Sequence, residues 1–117
     1  LMPGADEFAG AERHTDIAKG IVDADVVMTL RIQKERMNAA AIPDSDSYSK
    51  QYGLNQERLA LAKPDAIVMH PGPMNRGTEI SSQVADGPQS VIREQVANGV
   101  ATRMAVMTTV LETLHGK

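Results

Sequence analysis

Two short apolar runs punctuate the chain, and each breaks off abruptly into polar sequence. Val26 to Leu30 reads VVMTL, and Ala66 to Met69 reads AIVM. Both have strand length and β-branched residues. Their apolar character is continuous rather than alternating, which predicts strands covered on both faces. Helical signals surround them. Asp16 to Val22 is short and amphipathic, with Thr15 as its N-cap candidate and Gly20 as a weakness. Ser47 to Tyr52 predicts one or two helical turns stopped by Gly53. Asn55 suits the N-cap of a helix from Gln56 to Ala62 that halts before Pro64. Residues 1–15 read as loop or weak helix, and Met37 to Asp46 and residues 74–89 as loop. Beyond them, Ile92, Val96, Val100, Met104, Met107, Leu111 and Leu114 recur every three or four positions. That spacing predicts one long helix, or two joined, over Ser90 to Leu114. Gly99 marks a break or a close helix contact, and Gly116 a stop.

The order helix, strand, helix, strand, helix predicts an α/β fold with a parallel sheet. Ligands in such sheets sit beyond the carboxyl ends of the strands. Two polar motifs lie there: Arg31 to Arg36 after the first strand, and His70 to Arg76 after the second.

Composition narrows the function. A length of 117 residues fits one domain, and 42% hydrophobic residues is not a disordered composition. A net charge of −3 argues against a nucleic-acid binder, which needs a basic excess. With no cysteine, disulfides, thiolate nucleophiles and cysteine metal sites are excluded. Aromatic residues make up 3%, too few for stacking platforms. No apolar run approaches the ~20 residues that span a bilayer. The first residues carry no signal-peptide pattern, and they read like the middle of a fold.

Candidate chemistry is confined to the two polar motifs. In an extended strand exit Arg31 and Gln33 point to one side, since side chains alternate. A guanidinium fork beside a carboxamide is suited to clamping a carboxylate, and Glu35 is placed to hold the fork. A solvated charged cap on the strand fits the same spacing. In His70-Pro71-Gly72-Pro73, two prolines remove two donors and fix φ twice, leaving carbonyls held and unpaired. A ligand with an amide NH₂ suits such carbonyls, and Gly72 permits close approach. An ordinary strand-terminating turn with His70 packed beneath it is the alternative. A cis Gly72–Pro73 bond is expected in so tight a turn. Just beyond, Arg76 and Glu79 read as an ion pair that stabilises the loop. His14 and His115 read as surface residues, and the methionines of the last helix as core filling. Phosphate-loop, dinucleotide and nucleophile-elbow motifs are absent.

Taken together, three segments resemble the aspartate carbamoyltransferase family. ADVVMTLRIQKERM, from Ala24 to Met37, is similar to its strand and aspartate loop. MHPGPMNRGTEI, from Met69 to Ile80, is similar to its carbamoyl phosphate loop. VADGPQSVIREQVANGVATRMAVM, from Val84 to Met107, is similar to its C-terminal helices. The resemblance implies a partial three-layer, Rossmann-like parallel-sheet domain with a long C-terminal helix. Residues 1–89 would form an incomplete L-aspartate-binding domain, and residues 90–117 a helix that packs on a carbamoyl phosphate domain outside this chain. It also implies transfer of a carbamoyl group from carbamoyl phosphate to the amine of L-aspartate, in pyrimidine biosynthesis, with no metal or organic cofactor. Arg31 would bind an aspartate carboxylate, with Gln33 assisting and Glu35 orienting Arg31. Pro71, Gly72 and Pro73 would meet the carbamoyl group through the backbone, with His70 in support. Gly72 departs from the bulkier residue of some relatives. A cytoplasmic homotrimer is implied, with dihydroorotase or a regulatory chain as a further partner and neither nucleic acid nor membrane.

The family's Ser-Thr-Arg-Thr phosphate motif and mobile-loop lysine do not occur in these 117 residues. The resemblance therefore implies a C-terminal third that is inactive alone. Two alternatives stand beside it. One is a carbamoyltransferase for another amine such as ornithine, although those relatives carry a Cys in the loop. The other is a non-catalytic, carbamoyltransferase-like assembly domain.

Overall fold

A computed structural model describes residues 9–33 and 44–116. Strands β1 (Val26–Met28) and β2 (Ile67–Met69) pair in parallel, with Val26 opposite Ile67, Val27 opposite Val68 and Met28 opposite Met69. The ladder extends at both ends: the Ile67 amide donates to Asp25 at 3.0 Å, and the Thr29 amide to Met69 at 3.0 Å. On the other flank of β2, the Val68 amide donates to Gln89 at 2.8 Å and the Val91 amide to Val68 at 3.0 Å. A parallel bridge at Ser90 completes that edge. The expected α/β arrangement around a parallel sheet is present.

The helices follow their caps. Helix α1 (Ile17–Gly20) starts at Asp16 rather than Thr15, because the Asp16 carboxylate accepts from the Ala18 amide at 3.0 Å. Helix α2 (Ser45–Tyr52) begins inside a stretch expected to be loop, since Asp44 caps it by accepting from the Ser47 amide at 3.1 Å. At its end, a Cβ on Gly53 would lie 2.6 Å from the Ser49 carbonyl oxygen and 2.8 Å from that of Thr78, so only glycine fits. Helix α3 (Gln56–Leu59) is capped by Asn55 as expected, though it stops short of Ala62. Its Arg58 guanidinium reaches back to the carbonyls of Ser49, Lys50 and Gly53, tying α3 to the end of α2. A further short helix, α4 (Ser82–Ala85), lies in the segment read as loop. Ser81 caps it, and its Val84 and Ala85 are buried.

Leu54, Ile80, Val68 and Val84 are the largest fully buried apolar side chains. Val27, Leu59, Ala62, Ala66 and Ile92 join them in one cluster. Leu54 and Ile80 are bridged in parallel, so the α2–α3 connection is sewn to the loop after β2. The strands correct one expectation. Val27 and Val68 are buried, whereas Val26, Met28 and Ile67 are 47%, 50% and 37% exposed. Continuous apolar sequence marks both faces for burial, but the described residues pack against one.

Helix α5 (Ile92–His115) is a single unbroken helix, ended at Gly116, whose amide donates to Glu112 at 2.8 Å. Gly99 does not break the helix, and among the described residues the side chain of Arg103 lies over it. Among the described residues of α5 only Ile92 is buried, and Val100, Met104, Met107, Leu111 and Leu114 are all more than half exposed. Among the described residues, Met104 and Met107 therefore fill no core. Leu54→Ala should destabilise the fold by about 2–5 kcal/mol, the cost of a cavity at a buried leucine. Val110→Ala, on the exposed helix, should change it by less than about 0.5 kcal/mol. Urea unfolding of the two variants checks the contrast.

Candidate functional site at the carboxyl edge of the sheet

The turn after β2 is fixed from below. His70 is fully buried. Its backbone amide donates to the Gln95 side chain of α5 at 2.9 Å. Its Nδ1 accepts from the Gly72 amide at 2.8 Å, and its Nε2 lies 3.0 Å from Glu79 Oε1. An amide proton pointing at Nδ1 requires a lone pair there. The imidazole is thus neutral, with its proton on Nε2 donated to Glu79. The Gly72–Pro73 bond is cis, as expected from the sequence. Gly72 has φ +67°, a conformation that favours glycine, while Val96 stands an ordinary 3.7 Å from where a Cβ would be. Backbone conformation favours glycine at this position, and crowding does not exclude a larger residue. Among the described residues, no backbone or side-chain group donates to the carbonyls of Pro71, Gly72 or Pro73.

Glu79 is 2% exposed and gathers the loop. Its Oε1 accepts from the Asn75 amide at 2.6 Å as well as from His70. Its negative charge reaches Tyr48, whose phenol is pushed above its usual value by burial first, then by Glu79 and Tyr52.

The second motif exits β1 beside this turn. Ile32 is buried, Arg31 half-buried and Gln33 exposed. The Asn75 side-chain nitrogen lies 3.5 Å from the Ile32 carbonyl, a long contact that joins the two loops. Glu35, expected to orient Arg31, lies outside the described residues.

Parallel strands thus deliver a cationic, amide-bearing exit and a turn with open carbonyls to one edge. The family model described as aspartate/ornithine carbamoyltransferase, Asp/Orn binding domain, matches residues 5–110. The chain belongs to this family. It is 60% identical over 107 residues to the aspartate carbamoyltransferase catalytic subunit of Beijerinckia indica, covering 92% of this chain and 34% of that protein. Aspartate transcarbamoylase from Trypanosoma cruzi, solved with phosphate, superposes with a TM-score of 0.65 at 33% identity, over 81% of this chain and 29% of that one. Ornithine carbamoyltransferase from Pyrococcus furiosus gives 0.65 at 32% identity, over 79% and 29%. The chain therefore spans about a third of the length of the relatives it matches.

One expectation about the loop after β2 is overturned. Arg76 does not pair with Glu79. Its guanidinium grips Asp86 with two bonds, Nη1–Oδ2 at 2.7 Å and Nη2–Oδ1 at 2.9 Å. The bidentate fork reaches an acceptor at the end of α4, whereas Glu79 is buried under the turn. Sequence reading also missed a cavity of about 640 Å³ between α1, β1 and α2, whose wall is mainly apolar and includes the polar groups of Thr29, Tyr48, Tyr52 and Glu79. No motif announced it, because its walls come from three separate segments. His14 and His115 are exposed, as expected.

The Arg76 bond is the largest influence on Asp86 and holds its carboxyl below the usual value, with burial opposing and the charges of Arg76 and Arg93 adding. A depressed folded value means stability that is present above the unfolded carboxylate range and lost as pH falls through the folded value. Asp86→Asn should remove that part of the acid limb of the stability profile. Added salt should weaken the pair, since both groups face solvent. Thermal melts across acidic pH at two ionic strengths test this.

Proposed function

We propose that this chain is the aspartate-binding part of an aspartate carbamoyltransferase, joining the carbamoyl group of carbamoyl phosphate to the amine of L-aspartate. The amine nitrogen attacks the carbonyl carbon, the bond to the phosphate oxygen breaks, phosphate leaves and the amine gives up a proton. The observation that carries the reading is the meeting of Arg31-x-Gln33 and the Pro71–Pro73 turn at one sheet edge. The 60% identity to an aspartate carbamoyltransferase favours aspartate over ornithine.

In this reading Arg31 takes an aspartate carboxylate, Gln33 adds a donor and Glu35 orients Arg31. The carbonyls of Pro71, Gly72 and Pro73 receive the carbamoyl NH₂, and His70 holds the turn. Such a site works by positioning and charge stabilisation, without a covalent nucleophile or a cofactor. Residues 1–89 form the aspartate domain, and the apolar stripe of α5 within residues 90–117 is covered by a carbamoyl phosphate domain. The complete enzyme is a cytoplasmic homotrimer of pyrimidine biosynthesis, with dihydroorotase or a regulatory chain as a further partner.

The test expresses the complete reading frame that contains this chain and follows N-carbamoyl-L-aspartate formation. Arg31→Ala should raise the aspartate KM and lower kcat, weakening transition-state binding by about 1.5–3 kcal/mol or more, with carbamoyl phosphate binding nearly unchanged. Unaltered aspartate kinetics would remove Arg31 from the site. Residues 1–117 alone should show no turnover and should self-associate in sedimentation, given the exposed stripe on α5. A monomer with measurable turnover contradicts the assignment of phosphate chemistry to another domain.

A further inference from the structure

The resemblance assigns no role to Glu79, and the sequence reading paired it elsewhere. We infer that Glu79 is a positioning residue that sets the carbamoyl-facing turn by fixing the tautomer of His70, an inference that rests on the function proposed above.

The chain of contacts is short and buried. Glu79 and His70 are 2% and 0% exposed. Glu79 Oε1 receives the Nε2 proton of His70 at 3.0 Å. A ring protonated at Nε2 and neutral overall leaves Nδ1 as an acceptor, and Nδ1 takes the Gly72 amide at 2.8 Å. With the proton moved to Nδ1, two N–H groups would face each other and the Gly72 amide would lose its partner. Gly72 is the one residue of Pro71–Pro73 with an N–H, so this bond is the only amide anchor the turn itself offers. The same Oε1 accepts the Asn75 amide at 2.6 Å, tying down the far end of the loop. Glu79 Oε2 is buried and makes no hydrogen bond among the described residues. All the bonding of the carboxylate is thus spent on the two ends of the loop that carries Pro71, Gly72 and Pro73. An acceptor on Nε2 that fixes the role of Nδ1 is the arrangement by which carboxylates orient histidines elsewhere.

The test uses the complete enzyme with Glu79→Gln, Glu79→Asp, Glu79→Leu and His70→Gln. Glu79→Gln keeps the shape but loses the charge. It should lower kcat and raise the KM for carbamoyl phosphate by roughly tenfold to a hundredfold in kcat/KM, the loss of a charged hydrogen bond, with the aspartate KM nearly unchanged. Glu79→Asp keeps the charge and should recover part of that loss. Nitrogen-15 NMR of labelled histidine, with the His70 signals identified by their absence in His70→Gln, should show the neutral Nε2–H form in the wild type. That form should persist in Glu79→Asp and Glu79→Gln, which both keep an oxygen acceptor for Nε2–H, and give way to a mixture in Glu79→Leu, which keeps none. A merely structural Glu79 would lower the melting temperature without moving the carbamoyl phosphate KM or the tautomer. Either that outcome, or a wild-type His70 protonated at Nδ1, overturns the inference. If the wild-type enzyme makes no N-carbamoyl-L-aspartate, the proposed function fails separately. Calorimetric binding of carbamoyl phosphate then decides the inference: it must weaken at least roughly tenfold in Glu79→Gln, and unchanged binding overturns it.

Discussion

The parallel pairing of Val26–Met28 with Ile67–Met69 decides where any chemistry on this chain takes place. Parallel strands end at the same edge, so the segments that follow them emerge side by side although some forty residues separate them in sequence. Arg31 follows the last residue of β1 by three positions, and His70 follows β2 directly. A one-residue slip in this register would turn Val27 and Val68 out of the core and carry both loops to the wrong side. The contact between Asn75 and Ile32 exists only because the register is held.

Below that edge the chain accepts an expensive element, a buried carboxylate. Removing such a charge from water costs several kcal/mol unless donors replace the lost hydration. Glu79 finds two N–H donors on one oxygen, one from Asn75 and one from His70. The partnership with His70 is a hydrogen bond from a neutral ring rather than an ion pair, because the Gly72 amide claims the other nitrogen. A buried network in which each bond depends on the protonation of the next specifies one geometry more sharply than apolar packing would. Here that geometry belongs to the turn.

The strands, the Asn55 cap and the position of both loops were legible in the sequence, because each rests on local signals that the fold does not override. The doubled proline announced the cis turn. What escaped depends on distance. The Asp44 cap lay among loop-like residues, and α4 is a single turn whose signal, Ser81 before Val84 and Ala85, is brief. The partner of Arg76 could not be chosen by spacing, since Glu79 and Asp86 are both within reach in sequence. Burial made the choice: the turn folds over Glu79, and Asp86 remains at the surface. Exposure of Met28, Val26 and Ile67 could not be read either, because an apolar pattern records the surface a residue requires and not whether these residues supply it.

That last point joins the strands to α5. The exposed face of the sheet and the stripe of Val100, Met104, Met107, Leu111 and Leu114 are separate apolar surfaces on one chain. Apolar area left in water forfeits about 25 cal/mol per Å², so a stripe of this length on an otherwise regular helix is costly to leave bare. Helix α5 also carries Gln95, which holds the His70 amide, and Val96, which stands against Gly72. A surface that packs on the outer part of α5 would therefore press on the same helix that braces the turn. A covering surface on α5 and the turn after β2 would then share one rigid element, which is a physical route by which docking on the first would set the second.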